Sequence, residues 1–231
     1  MIAFIKKYIH AIPILVYLVI YMTCFILVER IPRESYTILH TAFDDRIPFC
    51  EYFIIPYLLW FVYVTLFFVI FIFWDKDSYC KMFTTMTIGM TIFIIVSAIW
   101  PNAHDLREQA ALALEAKDTV FTRLVVRLYG TDTATNLLPS IHVYNSLAVQ
   151  FAIFHSPVMK KHRWVAPTTG LLCVLIILST MFVKQHSVID VVAAIALYAL
   201  MYFLVYRRGL NFFELTRKHK EKRRAAASRT E

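Results

Sequence analysis

Residues 53–74 form 22 consecutive positions without one charged side chain. A helix crosses the roughly 30 Å hydrocarbon layer of a bilayer in about 20 residues. No polar face is left along this run to meet water, so a soluble helix is excluded. Composition agrees: 59% of the 231 residues are hydrophobic and 17% are charged, against about 25% charged in a soluble domain. Spans are expected at 9–28, 52–74, 82–100, 141–156, 164–183 and 187–206. The fold class is therefore all-α, a polytopic membrane bundle of about six transmembrane helices. Trp74, Trp100 and Trp164 fall at span ends, where amphipathic rings prefer the interface. Pro13 and Pro56 fall near span starts, where a missing N–H does least damage. Asn145, Ser146 and Gln150 interrupt the fourth span, which points to a helix facing the bundle interior and not lipid.

Net charge is +8, and nine of the 24 Lys and Arg lie between Arg207 and Glu231. Beside a membrane span, such a tail marks the cytoplasmic side and gives no signal for nucleic acid. The expected division is one transmembrane catalytic domain over 1–206 and a basic cytoplasmic tail over 207–231. With the N-terminus inside, the cytoplasmic segments hold 16 Lys and Arg and the opposite segments hold 8. Both termini are thus expected inside, with the loops 29–51, 101–140 and 184–187 on the outer face. Lys6 and Lys7 precede an apolar run without a small-residue cleavage site, which reads as a retained first span. Cys24, Cys50, Cys80 and Cys173 have no metal-like spacing and read as small apolar fillers. The compact size and the absence of retention or transit signals point to a bacterial plasma membrane.

The outer loop 101–140 has structure of its own. Residues 106–117 are rich in Ala, Leu and Glu, good helix formers. Asp118 or Thr119 is placed to cap a second helix and Gly130 to end it. Phe121, Leu124, Val125 and Leu128 recur there at helical spacing. Two amphipathic helices lying on the bilayer surface are expected.

Two short segments carry chemistry: Pro139-Ser140-Ile141-His142 and His186-Ser187-Val188-Ile189-Asp190. Each falls at the outer end of a span, so two histidines and an aspartate share one membrane depth. His186 and Asp190, four residues apart, share a helix face. A carboxylate holding one ring N–H fixes the tautomer and frees the other nitrogen for attack. The reading without chemistry is a simple ion pair, which an aspartate inside a span makes costly. Ser140 begins a helix whose free N–H groups favour an anion, and His142 lies beside it; the plainer reading is a helix cap. Lys184 and Arg107 are candidate cations for phosphoryl oxygens, against an ordinary snorkelling role that is preferred for Arg123 and Arg127.

At these residues the chain resembles the type 2 phosphatidic acid phosphatase superfamily, which includes vanadium haloperoxidases and sphingolipid headgroup transferases. Pro139-Ser140-Ile141-His142 is similar to its Pro-Ser-Gly-His signature. Ile141 in place of glycine is closer to the inositol phosphorylceramide synthase-like branch, as is Asp44-Asp45-Arg46-Ile47-Pro48-Phe49. His186 and Asp190 match its third signature, although Ser179-Thr180 stands where Ser-Arg is usual. Trp100-Pro101-Asn102 and Arg107 stand as a remnant of the first. The resemblance implies a nucleophilic His186, an orienting Asp190, and His142 as the acid and then the base. It implies phosphate binding by Ser140, Lys184 and Arg107, a lipid phosphate substrate, and no metal or other cofactor. The expected activity is a phosphatidate-like lipid phosphatase acting through a phosphohistidine at the outer face. The first alternative is a lipid headgroup phosphotransferase. The second is a transporter or scaffold with a decayed site; no internal repeat and only four glycines speak against transport.

Overall fold

The computed structural model describes residues 8–214; of the basic tail expected over 207–231, residues 215–231 lie outside the described residues. The chain is a helical bundle. Helix α1 covers Ile12–Glu29, α2 Ile54–Trp74 and α3 Lys76–Ile99. Two shorter helices follow, α4 at Glu108–Ala116 and α5 at Val120–Thr131. Then come α6 at Ile141–His155, α7 at Val165–Phe182 and α8 at Val188–Tyr202, which a π-helical turn extends through Phe203–Arg207.

Five of these helices, counted with their flanking turns, are long and apolar enough to cross a membrane: Ile9–Glu29, Glu51–Trp74, Lys76–Ile99, Val165–Phe182 and Val188–Arg207. Leu15, Val19 and Leu27 of α1 and Phe61 and Val62 of α2 are exposed, and a bilayer is the solvent that suits such faces. The first expected span is present as α1. The third begins earlier than expected, at Lys76. There Asp75 caps α3 by accepting from the Ser78 N–H and hydroxyl, which satisfies an N–H that has no partner within the helix.

The expected fourth span, 141–156, is present with nearly those bounds as α6. Helix α6 has 15 residues, about 22 Å at 1.5 Å per residue, short of a full crossing. It lies against α2, α3, α7 and α8, and ten of its residues are buried. Its polar groups therefore bond within the bundle. Tyr63 donates to Gln150 Oε1 at 3.0 Å, and Gln150 Nε2 donates to the Ala166 carbonyl at 3.0 Å. Tyr144 donates to the Thr85 carbonyl at 2.7 Å. At the far end of α6 the Ser156 hydroxyl donates to Asp75, which ties α6 to the α2–α3 turn.

The connections at the other end, 30–53, 100–140 and 183–187, fold together. Strand β1 (Thr37–Ile38) pairs in parallel with β2 (Asn102–Ala103), and Thr135 bridges to Ala103. His40 bonds Asp45 and Asp105 at 2.8 and 2.6 Å, and Lys117 pairs with Glu51 at 2.9 Å. Thr119 caps α5 in a reciprocal box with Thr122, as its position in the sequence suggests. The apolar face of α5 does not simply rest on lipid. Phe121, Leu124, Val125 and Leu128 pack on Ile54, Tyr57 and Val183, at the ends of α2 and α7. Protein offers that face a shaped partner, so the loop becomes a cover over one end of the bundle.

Candidate active site

The turn from α7 into α8 positions His186 and Asp190. Both the Gln185 and the His186 N–H donate to the Thr180 carbonyl, at 2.9 and 3.0 Å, closing the end of α7. Ser187 caps α8, and Asp190 Oδ2 accepts from the Ser187 N–H at 3.0 Å in a reciprocal capping box. The same Oδ2 lies 3.2 Å from His186 Nδ1. Because a carboxylate only accepts, Nδ1 carries the proton and Nε2 keeps its lone pair. Asp190 Oδ1 is buried and finds no partner.

A second carboxylate holds this turn from behind. Asp44, itself buried, accepts from Ser187 Oγ at 2.7 Å and from the Val188 N–H at 2.8 Å. It also accepts from the Thr41 N–H and hydroxyl. Burial acts to raise its pKa, but these hydrogen bonds outweigh it and hold the carboxyl below the usual range. The acidic segment near Asp44 is thus tied to the His186 turn.

Helix α6 brings His142 to the same place. Ser140 caps it, its Oγ accepting from the Val143 N–H at 3.4 Å, while the Ser140 N–H donates to the main-chain oxygen of Asp190 at 3.2 Å. The start of α6 is therefore fastened to the first turn of α8. The rings of His142 and His186 have centroids 5.8 Å apart. Tyr57 and Trp60 of α2 pack on the His142 ring, with centroids at 4.7 and 4.5 Å. His142 Nδ1 is buried without a partner. The two histidines are 8% and 5% exposed, so the pair is largely shielded from bulk water.

Arg107 reaches the site's rim. Its guanidinium donates to Gln185 Oε1 at 2.8 Å, to the Thr133 carbonyl at 3.0 Å and to the Tyr129 carbonyl at 3.3 Å, and it lies over the Tyr129 ring at 4.5 Å. Its Nε remains buried and unpaired. Burial lowers its pKa, although the neighbouring Asp132 works in the opposite direction. Asp132 accepts from the Tyr57 hydroxyl at 3.3 Å. Burial raises the Asp132 carboxyl, while nearby groups, Arg107 and the Tyr57 hydroxyl among them, pull it back.

Lys184 does not join this group. Its ammonium turns into the 44–47 turn, donating to the main-chain oxygens of Asp44, at 2.9 Å, and Ile47. The residue is buried and has a φ of 52°, a left-handed conformation costly for a non-glycine residue. The ammonium thus bonds protein oxygens at the same segment that supports α8. Of the six candidate residues, His142, His186, Asp190 and Ser140 come together, Arg107 stands at the rim and Lys184 points elsewhere.

Several neighbours were not singled out by sequence. Tyr57 and Trp60 look like ordinary span aromatics, and only their spacing of three puts both on one helix face. His104 had a local signal, two residues beyond Trp100-Pro101-Asn102. Asn102 itself shapes the approach to Ser140: its Oδ1 accepts from the Leu137 and Leu138 N–H groups at 2.7 and 3.1 Å. Glu29, at the end of α1, holds the same loop by accepting from Thr133, Thr135 and Asn136.

Among the described residues no cluster of three or more His, Cys, Asp or Glu is placed to hold a metal ion. The arrangement supplies an oriented imidazole, a second imidazole nearby, a helix N-terminus and one guanidinium. Against known proteins, no family model, no curated sequence and no solved structure matches the chain.

Proposed function

We propose that the chain is a membrane enzyme that removes phosphate from a lipid phosphate through a phosphohistidine. One observation carries the reading. His186, held by Asp190 at Nδ1, and His142 converge from two helices at one end of an apolar bundle, with ring centroids 5.8 Å apart. An imidazole with Nδ1–H on a carboxylate has its other nitrogen free as a nucleophile. The Nε2 lone pair of His186 attacks phosphorus, and the bond from phosphorus to the lipid oxygen breaks. Protonated His142 gives its proton to that leaving oxygen. Neutral His142 then takes a proton from water, whose oxygen attacks the phosphohistidine and returns His186 to its free form. Asp190 balances the positive charge that His186 acquires. The first N–H groups of α6, the Ser140 hydroxyl and Arg107 are the groups available to phosphate oxygens. The bundle end that carries the site is assigned to the outer face, from the bias of Lys and Arg between loops.

The near closure of both histidines favours a second reading, in which an alcohol and not water attacks the phosphohistidine. The product is then a new phosphoester, and the first half of the reaction is unchanged.

Purified full-length protein in detergent, given phosphatidate and related lipid phosphates, tests the proposal. Phosphate release is expected from wild type and is expected to fall at least a hundredfold in His186→Ala, with the thermal transition unchanged. Equal release by both proteins removes His186 as the nucleophile. No release by either, with transfer from a phospholipid to an added alcohol, moves the assignment to the transferase.

A further inference from the structure

A groove of about 600 Å³ runs down the side of the bundle between α2 and α7. Leu66, Phe67 and Ile70 of α2 and Leu172 of α7 are among its apolar walls. His162 and Trp164, on the connection from α6 to α7, line its mouth at the end of the bundle opposite the candidate site. Leu66 and Trp164 are exposed, so the groove opens sideways, toward the lipid that surrounds a spanning bundle. Along α2 it reaches from Leu59 to Ile70, about 16 Å at 1.5 Å per residue. That is the depth of one leaflet in a hydrocarbon layer of roughly 30 Å.

The connection at its mouth is basic. Residues 160–163 run Lys-Lys-His-Arg, and all four are exposed. Among the described residues no carboxylate pairs with Lys160, Lys161 or Arg163. The Arg163 guanidinium lies 4.9 Å from the centre of the Trp164 ring, and that ring is part of the groove, so one unpaired cation is held at the mouth. Fixed positive charges without a counter-charge on the protein attract an anion. The apolar channel beside them suits a hydrocarbon chain. An anionic phospholipid has both parts in one molecule. A soluble anion meets only the first requirement, and a zwitterionic lipid leaves the charge uncompensated. A second copy related by a two-fold axis along the membrane normal would bring the same basic connection to this level, like charge against like.

We infer that this groove binds one anionic phospholipid from the leaflet at that end, with its phosphate among Lys160, Lys161 and Arg163 and one acyl chain along α2 and α7. This lipid is a bound partner and not a reacting molecule, because the mouth lies at the end of the bundle away from His142 and His186. It braces the two helices whose other ends carry Tyr57, Trp60 and the turn before His186. The inference stands apart from the phosphoryl-transfer reading and needs no turnover to be tested.

Bromine on a lipid chain quenches an indole that it touches. Full-length protein is reconstituted at constant ionic strength into vesicles of chain-brominated phosphatidylcholine with increasing unbrominated phosphatidylglycerol. Leu66→Trp places an indole in the groove. Leu171→Trp places one on α7 at an exposed position outside it, and wild type supplies the background for both. Recovery of fluorescence at Leu66→Trp is expected to report about a fivefold preference for the anionic lipid, the scale of one basic side chain at a charged lipid surface. At Leu171→Trp no preference is expected. Lys160→Gln, Lys161→Gln and Arg163→Gln combined are expected to reduce the groove to the behaviour of Leu171→Trp. Native Trp164, read against Trp164→Phe, repeats the comparison without an inserted residue. Soluble glycerol phosphate is expected to leave the preference in place. Equal recovery at the two positions, or a groove preference that survives the triple replacement, overturns the inference. So does a preference abolished by glycerol phosphate, which assigns the mouth to free phosphate. An indole at position 66 that no brominated lipid quenches also overturns it and gives the groove to a second protein chain.

Discussion

His104 uses both ring nitrogens in the neutral form. Nδ1 accepts from the Leu106 N–H at 3.3 Å, so Nε2 carries the proton and donates to the Gln185 carbonyl at 2.9 Å. That carbonyl belongs to the residue before His186, which makes His104 a support of the turn that carries His186. Burial, and then the neighbouring His186, push the His104 pKa down to about 4. In the unfolded chain the group returns to about 6.5. Between these values the unfolded chain binds more protons than the folded one, so stability rises with pH across the window. The contribution of His104 is complete above pH 6.5 and is lost as pH falls toward 4. Thermal unfolding of the detergent-solubilised protein is expected to weaken by roughly 1 kcal/mol per pH unit over that interval. In His104→Gln the slope is expected to flatten; an identical slope in both proteins assigns the acid sensitivity to other groups.

Helices α3 and α6 are in close contact where Gly89 faces Tyr144. A methyl group at Gly89 would overlap the Tyr144 ring, and that ring is 1% exposed with its hydroxyl on the Thr85 carbonyl. Gly89→Ala is therefore expected to destabilise the bundle by about 1–3 kcal/mol, the usual cost of overpacking. It should also slow turnover, since Tyr144 lies two residues from His142 on the same helix. A melting temperature within a degree of wild type would show that α3 yields at this point. Helix-level features such as this were only partly legible. The long charge-free runs specified α1, α2 and α7 well, because lipid imposes its requirement on each helix separately. The bounds of α6 were legible, 141–156 expected against Ile141–His155, as was its inward face; the partners of its polar residues were not, because they lie far away in sequence. The direction of Lys184 was hidden for the same reason. Its partners, Asp44 and Ile47, lie 140 and 137 residues away, and only the closed fold brings them within reach. The pairing of His186 with Asp190 was readable because it is local to one helical turn.

At the scale of the whole molecule the two ends of the bundle differ in chemistry. One gathers the site under α4 and α5; the other carries Lys76 and Lys81 in the first turns of α3 and Lys160, Lys161 and Arg163 on the connection from α6 to α7. Single cysteines test the orientation. Leu112 on α4 and Trp164 before α7 are 80% and 68% exposed. In a background with Cys24 and Cys50 replaced by Ala, a membrane-impermeant thiol reagent added to intact cells is expected to label Leu112→Cys and to spare Trp164→Cys until the cells are opened. The reverse pattern places the site on the cytoplasmic face. The burial of α6 also bears on how the protein is made. A helix of 15 residues with Asn145, Ser146 and Gln150 at its middle partitions poorly into lipid on its own. It has to enter the bilayer against α2 and α3, already inserted, or together with α7 emerging behind it. His142 meets His186 only after α8 has followed, so a chain halted during synthesis carries no assembled candidate site, and the two histidines stay apart until biogenesis is complete.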